Sequence, residues 1–142
     1  MICYFDTSAF VPLLGREPST PVCKRLWVDA DSVVTSRLLY VEAAAALAQA
    51  RRIERLDEPA HRRGLAALDR LWQEFDVIEA DRSLVNRAAE LAHLGALRGY
   101  DAVHCASAEF VPDADLVVAS GDRKLLAACR SLGLATADVN AP

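Results

Sequence analysis

Short apolar segments alternate along the chain with longer segments whose apolar residues recur at helical spacing. Five segments have the length and the apolar or β-branched content of strands, namely residues 2–5, 32–35, 76–80, 116–119 and 135–139. Helices are predicted over 9–14, 37–55, 81–93, 101–110 and 121–132. Two more are predicted, one after the proline-containing break at 18–21 and one from residue 58 onward. This alternation predicts an α/β domain with a mostly parallel sheet, since strands covered on both faces are continuously apolar.

Several boundary residues follow from capping chemistry and periodicity. Ser36 is expected to cap the helix over 37–55, and Asp101 is expected to open the helix over 101–110. Phe75 continues the apolar stripe of the preceding helix, so the third strand is expected to start only after it. Gly99 is expected to end the helical region that precedes it.

Composition sets limits on the class of protein. The 142 residues predict a single domain over 1–142, and 53% hydrophobic with 25% charged residues predicts a packed core. The net charge of −4 excludes a basic coat, so contact with an anionic polymer requires a local basic patch or a bound cation. The chain lacks an apolar run of the roughly 18 residues that span a bilayer, and its first residues do not resemble a secretory signal.

The four cysteines indicate a reducing compartment. They are Cys3, Cys23, Cys105 and Cys129, and their spacing includes no CxxC pair of the kind found in zinc knuckles or thioredoxins. Most of them stand in apolar stretches, which predicts buried free thiols. We therefore expect a cytoplasmic protein.

Four acidic residues stand where ordinary surface residues are not expected. Asp6 directly follows the first strand and Asp122 follows the strand over 116–119, so both are predicted at the carboxyl edge of the sheet, where α/β domains bind ligands. Asp101 stands at the head of an apolar helix. Glu42 is the single charged residue between positions 38 and 50, in a helix expected to be buried, where an unpaired carboxylate costs several kcal/mol.

Each acid also has a structural interpretation. Asp6 and Asp101 are suited to helix N-caps, Asp122 to a first helical turn or a pair with Arg123, and Glu42 to an arginine from another helix. Converging carboxylates repel one another, however, and a hard divalent cation relieves that repulsion. Mg²⁺ prefers oxygen ligands and keeps several waters, which is the chemistry of metal-assisted phosphodiester hydrolysis.

The order of these acids and their neighbours resembles the PIN-domain ribonucleases. The resemblance rests on Asp6 to Phe10, on Glu42, and on residues 100–108 and 118–125, with spacings of 36, 59 and 21 residues between the acids. It extends from residue 2 to about 140, and the chain length resembles that of the VapC toxins of bacterial type II toxin–antitoxin pairs. The resemblance implies a three-layer α/β/α fold with a short, mostly parallel central sheet.

The resemblance also assigns roles to residues. The positions that match the family's catalytic acids are Asp6, Glu42, Asp101 and Asp122. Asp6 and Asp101 are expected to bind Mg²⁺, for which Mn²⁺ would substitute, and Glu42 and Asp122 to complete the site partly through water. Ser8 and Ser120 match hydroxyl positions that contact the metal or a phosphate. The ending over 139–142 has an alanine inserted in the family's usual Asn-Pro, so Asn140 is assigned no role.

The activity implied is endonucleolytic hydrolysis of RNA by a metal-activated water, leaving a 3′-hydroxyl and a 5′-phosphate. The resemblance further implies a homodimer and a small VapB-type antitoxin whose tail blocks the site. Arg51, Arg52 and Arg55 belong to a basic run that reaches Arg63, and this run is either a solvated face or a surface for RNA phosphates. His104 lies one helical turn after Asp101, and we expect it to support the site or the core.

Two other classes of function stay open at this point. A phosphoaspartate phosphatase or receiver would use Asp6 as its nucleophile, but Ser8 stands where such phosphatases carry a second aspartate, and an acidic pair of the receiver type is missing. A PIN-fold interaction domain without catalysis is the other alternative, and the intact acids argue against it.

Overall fold

Five strands form one central sheet in the computed structural model, which describes residues 1–141. The strands are β1 (Ile2–Phe5), β2 (Ser32–Ser36), β3 (Phe75–Ile78), β4 (Leu116–Ser120) and β5 (Ala135–Asp138). Their spatial order is β3-β2-β1-β4-β5, and every pairing within the described chain is parallel. The predicted α/β class with a parallel sheet is confirmed.

Helices cover both faces of this sheet. They are α1 (Thr7–Phe10), which continues into a 3₁₀ turn (Val11–Leu14), α2 (Thr20–Asp29), α3 (Leu39–Arg52), α4 (Glu58–Trp72), α5 (Arg82–Gly95), α6 (Gly99–Phe110) and α7 (Arg123–Ser131). Cys3 and Phe5 of β1 pack into a core shared with α1 to α4, whereas Tyr4 packs into a second core shared with α5 to α7. The alternation of side chains along β1 thus produces the three-layer α/β/α arrangement.

Tertiary contacts move two of the predicted boundaries. The α3 helix begins at Leu39, because the backbone N–H of Arg37 donates to Ile78 O and keeps residue 37 at the end of the sheet. It ends at Arg52, before the predicted residue 55. Ser36 Oγ accepts from the N–H of Leu38 and does not cap α3. Phe75 is the first residue of β3, paired with Val33, so its assignment to the helical stripe is wrong.

The connection between α5 and α6 also differs from the prediction. The α5 helix ends at Gly95, and Ala96 turns the chain with a left-handed φ of 51°. Gly99 is the first residue of α6, so it opens that helix and does not end the preceding one. Asp101 consequently lies in the first turn of α6, where the helix dipole favours an anion, and it is not the N-cap.

The α3 helix is half-buried, which corrects the expectation that it is enclosed all round. Leu39, Ala43 and Leu47 face the core, whereas Tyr40 and Val41 are exposed. The difference arises because only one stripe of α3 packs on the rest of the domain, so apolar residues outside that stripe remain at the surface.

All four cysteines are buried free thiols, as predicted, and the Sγ atoms of Cys105 and Cys129 lie 3.9 Å apart. Among the helices of residues 1–141, none has the length and apolar content required to cross a membrane. The prediction of a single domain over 1–142 stays a prediction, since Pro142 lies outside the described residues.

Candidate active site

The predicted site lies at the carboxyl edge of the sheet, between β1 and β4. These neighbouring strands pair with Phe5 opposite Ala119, so the residues that follow them emerge side by side. On one side of this pair lie β2 and β3, and on the other side lies β5, so the chain connections leave the pair in opposite directions. A crevice opens at such a point, and α/β sheets bind ligands there. The cleft has a volume of about 470 Å³, and the acids that line it include Asp6, Glu42, Asp101 and Asp122.

Asp6 is the most deeply buried of the four acids, with 3% of its surface exposed. It is the N-cap of α1, because its Oδ1 accepts from the Ala9 N–H at 2.9 Å. Its oxygens also accept from Ser8 Oγ at 2.7 Å and from Ser120 Oγ at 2.6 Å. Burial raises the pKa of the Asp6 carboxyl above its ordinary value, while the nearby His104 and the hydroxyl donors partly offset that rise.

The two serines hold Asp6 to the turn between β4 and α7. Ser8 Oγ accepts from the Gly121 N–H at 2.8 Å, and Ser120 Oγ accepts from the Asp122 N–H at 2.9 Å. Since each hydroxyl carries one proton, these backbone donors leave the proton free to point at Asp6. In this structure the serines therefore orient a carboxylate, and their contact with a metal or phosphate stays a prediction.

Asp122 has the capping role that its position after β4 allows. Its Oδ1 accepts from the N–H groups of Lys124 and Leu125 at 2.9 and 3.1 Å, which makes it the N-cap of α7. Within residues 1–141 it forms no ion pair with Arg123, and its Oδ2 has no hydrogen-bond partner. One oxygen thus serves the helix while the carboxylate as a whole lines the cleft.

Asp101 is paired with a residue that the sequence reasoning passed over. Arg98, three residues earlier, donates from Nε to Asp101 Oδ2 at 3.3 Å. The arginine is almost fully exposed, so this pair contributes about 1 kcal/mol or less and does not hold the carboxylate firmly.

Glu42 is compensated by a histidine, not by the arginine that was considered. Its Oε1 lies 2.8 Å from Nε2 of His104, which is 2% exposed. The other ring nitrogen of His104, Nδ1, lies 2.7 Å from the hydroxyl of Tyr4, and Thr7 Oγ1 lies 3.3 Å from Nε2. His104 is therefore both part of the core and a support for an acid of the cleft.

The four acids share a cleft without forming a finished metal cage. No three Asp, Glu, His or Cys side chains of the described chain are close enough together to hold a metal ion as they stand. Mg²⁺ does not require such a cluster, because it commonly binds one or two carboxylates and keeps several waters. An ionised carboxylate offers about four lone-pair positions. Ser8, Ser120 and Ala9 donate to Asp6, and Ser8 Oγ lies within hydrogen-bond distance of both of its oxygens. In contrast, Oδ2 of Asp122 and Oε2 of Glu42 have no hydrogen-bond partner among residues 1–141. The oxygen donor set thus fits a hydrated divalent cation.

Several residues of the cleft were not predicted from the sequence. They are Thr7, Val11, Glu17, Ser19, Ala46, Arg98 and Asn140. Asn140 was assigned no role, yet its Nδ2 donates to Gly121 O at 3.3 Å and so braces the turn that carries Asp122. Of these residues, Arg98 alone was predictable from the sequence, since it precedes Asp101 by one helical turn and can pair with it.

The basic run is only partly brought to the site. Arg55 lines a groove of about 200 Å³ together with Arg16, and this groove shares Val11, Glu17 and Ala46 with the acidic cleft. Arg51 and Arg52 are exposed at the end of α3 and line neither of these two concavities.

Comparisons with known proteins agree on the family. The family description "PIN domain" matches residues 3–131. The chain is 41% identical over 136 residues to the ribonuclease VapC45 of Mycobacterium tuberculosis, covering 93% of this chain and 92% of that protein. The crystal structure of M. tuberculosis VapC20, a toxin that cleaves the sarcin–ricin loop, is similar with a TM-score of 0.69 at 23% identity, over 89% of this chain and 94% of that one. A toxin–antitoxin complex from Klebsiella pneumoniae is similar with a TM-score of 0.58 at 18% identity, over 88% and 90% of the two chains.

Proposed function

Because the chain belongs to the PIN-domain family, with a VapC ribonuclease as a close relative, we propose that it is a metal-dependent endoribonuclease toxin. The observation that carries the proposal is the placement of Asp6, Glu42, Asp101 and Asp122 around one cleft at the carboxyl edge of the sheet. These are the acids that the family's motif requires, and oxygen donors in this arrangement fit a hydrated cation.

The side chains divide the work of such a site. Asp6 and Asp101 are proposed to hold Mg²⁺ or Mn²⁺, and Glu42 and Asp122 to complete the site through water. A divalent cation held there would supply a water of lowered pKa and would neutralise charge on the phosphate. The carboxylates orient the attacking water, so a side-chain nucleophile is not needed. Attack at phosphorus and departure of the 3′-oxygen leave a 3′-hydroxyl and a 5′-phosphate.

Cationic side chains flank the acids and suit an RNA backbone. Arg98 lines the cleft itself, and Arg55 with Arg16 lines the groove that continues from it. We propose that these arginines contact phosphates on either side of the scissile bond, which makes binding weaken as salt rises. Arg51 and Arg52 extend the same positive surface beyond the groove.

The phosphoaspartate alternative fits the site less well. Asp6, its nucleophile, is 3% exposed, and its oxygens accept three hydrogen bonds from Ser8, Ser120 and Ala9. A carboxylate held in this way has little room to attack phosphorus.

The partners proposed follow from the family. The similar toxin–antitoxin complex supports a small antitoxin, which we propose to be of the VapB type and to occupy the cleft. The homodimer is proposed from the family resemblance. We place the protein in the bacterial cytoplasm, where its RNA substrate is found.

The decisive experiment replaces Asp6 by asparagine. Asp6→Asn keeps the shape and the cap but removes the charge that holds the cation, so RNA cleavage in Mg²⁺ or Mn²⁺ should fall by about 100-fold or more. Cleavage of labelled RNA is the measurement, and circular dichroism checks the fold.

Asp81→Asn is the matched control. Asp81 is also an N-cap aspartate, accepting from the Leu84 N–H at 2.9 Å, but it lies outside the cleft. The Asp81→Asn protein should cleave RNA at the wild-type rate. A folded Asp6→Asn protein that cleaves as fast as the Asp81→Asn protein would remove Asp6, and with it the proposed metal site, from the mechanism.

A further inference from the structure

Two hydrogen bonds connect β1, which leads into Asp6, with α3 and α6, which carry Glu42 and Asp101. Tyr4 on β1 lies two residues before Asp6, and His104 on α6 lies one turn after Asp101. Glu42 on α3 completes the connection, with 2.7 Å between Tyr4 Oη and His104 Nδ1 and 2.8 Å between His104 Nε2 and Glu42 Oε1. The connection thus ties α6 and β1 to α3 immediately beneath the cleft.

The hydrogen-bond partners of the His104 ring indicate which of its nitrogens carries a proton. An ionised carboxylate is an acceptor only, so the Nε2 of His104 carries a proton and donates to Glu42. Nδ1 of His104 lies 2.7 Å from the Tyr4 hydroxyl, so a hydrogen bond to Tyr4 holds the other side of the ring. Tyr4 is fully buried and His104 is 2% exposed, so solvent does not compete for the hydrogen bond between them.

The Glu42 side chain gains a fixed direction from this contact. Its carboxylate lies at the edge of the cleft and is partly exposed, which by itself would leave several rotamers open. His104 binds Oε1, whereas Oε2 has no hydrogen-bond partner among residues 1–141. One oxygen is therefore anchored and the other remains available to water, a cation or a substrate group.

We propose that His104 is a positioning residue that fixes Glu42 in the cleft, and that Tyr4 fixes the orientation of His104. The proposal rests on the proposed ribonuclease function only for its activity readout. His104 does not reach the reacting atoms in this scheme, and its effect passes entirely through Glu42. The arrangement parallels the way carboxylates and histidines behind a metal site orient the groups that bind it.

The test compares His104→Leu with His104→Gln. Leucine fills a similar volume but removes both hydrogen bonds, whereas glutamine keeps an N–H for Glu42 and an oxygen for Tyr4. We expect His104→Leu to lower kcat by about 10- to 100-fold and to weaken Mn²⁺ binding to chelator-treated protein, measured by calorimetry, by a similar factor. His104→Gln should recover most of both, RNA binding should hardly change, and the exposed His93→Leu should match wild type.

A double-mutant cycle separates positioning from folding. If His104 acts through Glu42, His104→Leu should cause no further loss of kcat in a Glu42→Gln background. Additive losses would overturn the proposal, as would equal kcat and Mn²⁺ affinity in the leucine and wild-type proteins. Tyr4→Phe, which deletes only one hydroxyl, covers the case in which His104→Leu does not fold, and it should reduce kcat by a smaller factor.

An activity-independent readout keeps the two proposals apart. In ¹⁵N-labelled protein the Nε2–H of His104 should give a resonance protected from solvent exchange, and Glu42→Ala should remove that protection. A wild-type protein whose Nε2–H is protected, and loses that protection in Glu42→Ala, but which cleaves no RNA would support the positioning contact and refute the ribonuclease function. An unprotected Nε2–H in wild type would overturn the positioning proposal, whatever the activity.

Discussion

The carboxylate of Asp6 caps α1 and also lines the cleft. Hydrogen bonds favour its ionised form, whereas burial disfavours it. Three donors stabilise its ionised form, yet burial raises the pKa of the carboxyl above its ordinary value of 3.8. The folded protein therefore binds more protons at this residue than the unfolded chain does. The free energy of unfolding of the metal-free protein should consequently fall as pH rises from about 3.8 through the folded-state pKa, and the penalty is complete above it.

Thermal melting in the presence of a chelator tests whether the stability of the metal-free protein falls as pH rises. Asp6→Asn removes the buried charge, so it should melt above wild type at neutral pH, and the difference should shrink as pH falls towards 3.8. Added Mn²⁺ should raise the melting temperature of wild type more than that of Asp6→Asn, since selective binding to the folded state stabilises it. Asp101→Asn, at a half-buried residue, should show a smaller gain in chelator.

The opposite result has a definite meaning. An Asp6→Asn protein that melts below wild type in chelator at neutral pH, with an unchanged response to Mn²⁺, would show that the hydrogen bonds to the Asp6 carboxylate more than offset the cost of burying its charge. The carboxylate would then have no need of a cation.

At the scale of single residues, the sequence indicated the acids but not what holds them. Asp6 and Asp122 follow apolar strands, so their place at the sheet edge was predictable from the chain alone. The contact of Glu42 with His104 joins residues 62 positions apart, and that of Tyr4 with His104 joins residues 100 apart. Such partners depend on how helices pack across the sheet, which local pattern does not encode.

Helix α7 allows the structural and catalytic roles of Asp122 to be separated. Asparagine caps a helix about as well as aspartate, whereas alanine costs about 1 kcal/mol. Asp122→Asn should therefore retain the wild-type free energy of unfolding, and Asp122→Ala should lose about 1 kcal/mol. If the negative charge serves the cleft, both variants should lose RNA cleavage to a similar extent.

Denaturant unfolding and RNA cleavage are the paired measurements for these variants. Asp57→Asn and Asp57→Ala repeat the same pair at the N-cap of α4, where Asp57 accepts from the Ala60 N–H. Asp57→Ala should lose about 1 kcal/mol of stability, Asp57→Asn should lose none, and both should cleave RNA as wild type does. Wild-type cleavage by Asp122→Asn would reduce Asp122 to a capping residue.

At the scale of elements, local pattern predicted which elements exist better than where they end. All five strands were predicted, whereas the start of α3 and the first residue of β3 were misplaced. In both cases a backbone or strand pairing decides the boundary, through Arg37 with Ile78 and Phe75 with Val33. Phe75 also packs against Phe5, Phe10 and Trp27, so it is apolar because of the core it enters and not because of a helical stripe.

At the scale of the whole molecule, the site depends on a strand order that the pattern did not reveal. The alternation of strands and helices predicted a parallel sheet covered on both faces, and the family resemblance implied three layers. The pairing of β1 with β4, which brings the ends that carry Asp6 and Asp122 together, joins the first and fourth strands of the chain. The four acids are carried by separate elements, and the pairing of β1 with β4 is what brings Asp6 and Asp122 to the same cleft.

The outer surface of α5 and α6 carries the prediction for assembly. A groove of about 380 Å³ lies there, and its lining is apolar: Leu38, Val85, Ala88, Ala89, Ala92, Gly99, Tyr100, Ala102 and Val103. Val85 is 46% exposed and Tyr100 is 55% exposed, so the groove leaves apolar area in water that association would remove at about 25 cal/mol per Å². We expect a second copy of the chain to cover it, in keeping with the homodimer proposed for the family.

Sedimentation equilibrium at micromolar concentrations measures the mass of the assembly and so tests for the dimer directly. Wild type should sediment with twice the monomer mass of 15.4 kDa, and Val85→Asp should shift towards monomer because it places a charge in the contact. Val28→Asp is the matched control, since Val28 is 78% exposed on α2 and lies outside the groove, and it should remain dimeric. A wild-type protein that sediments as a monomer, or a dimer that Val85→Asp leaves intact, would show that this groove is not where two copies meet.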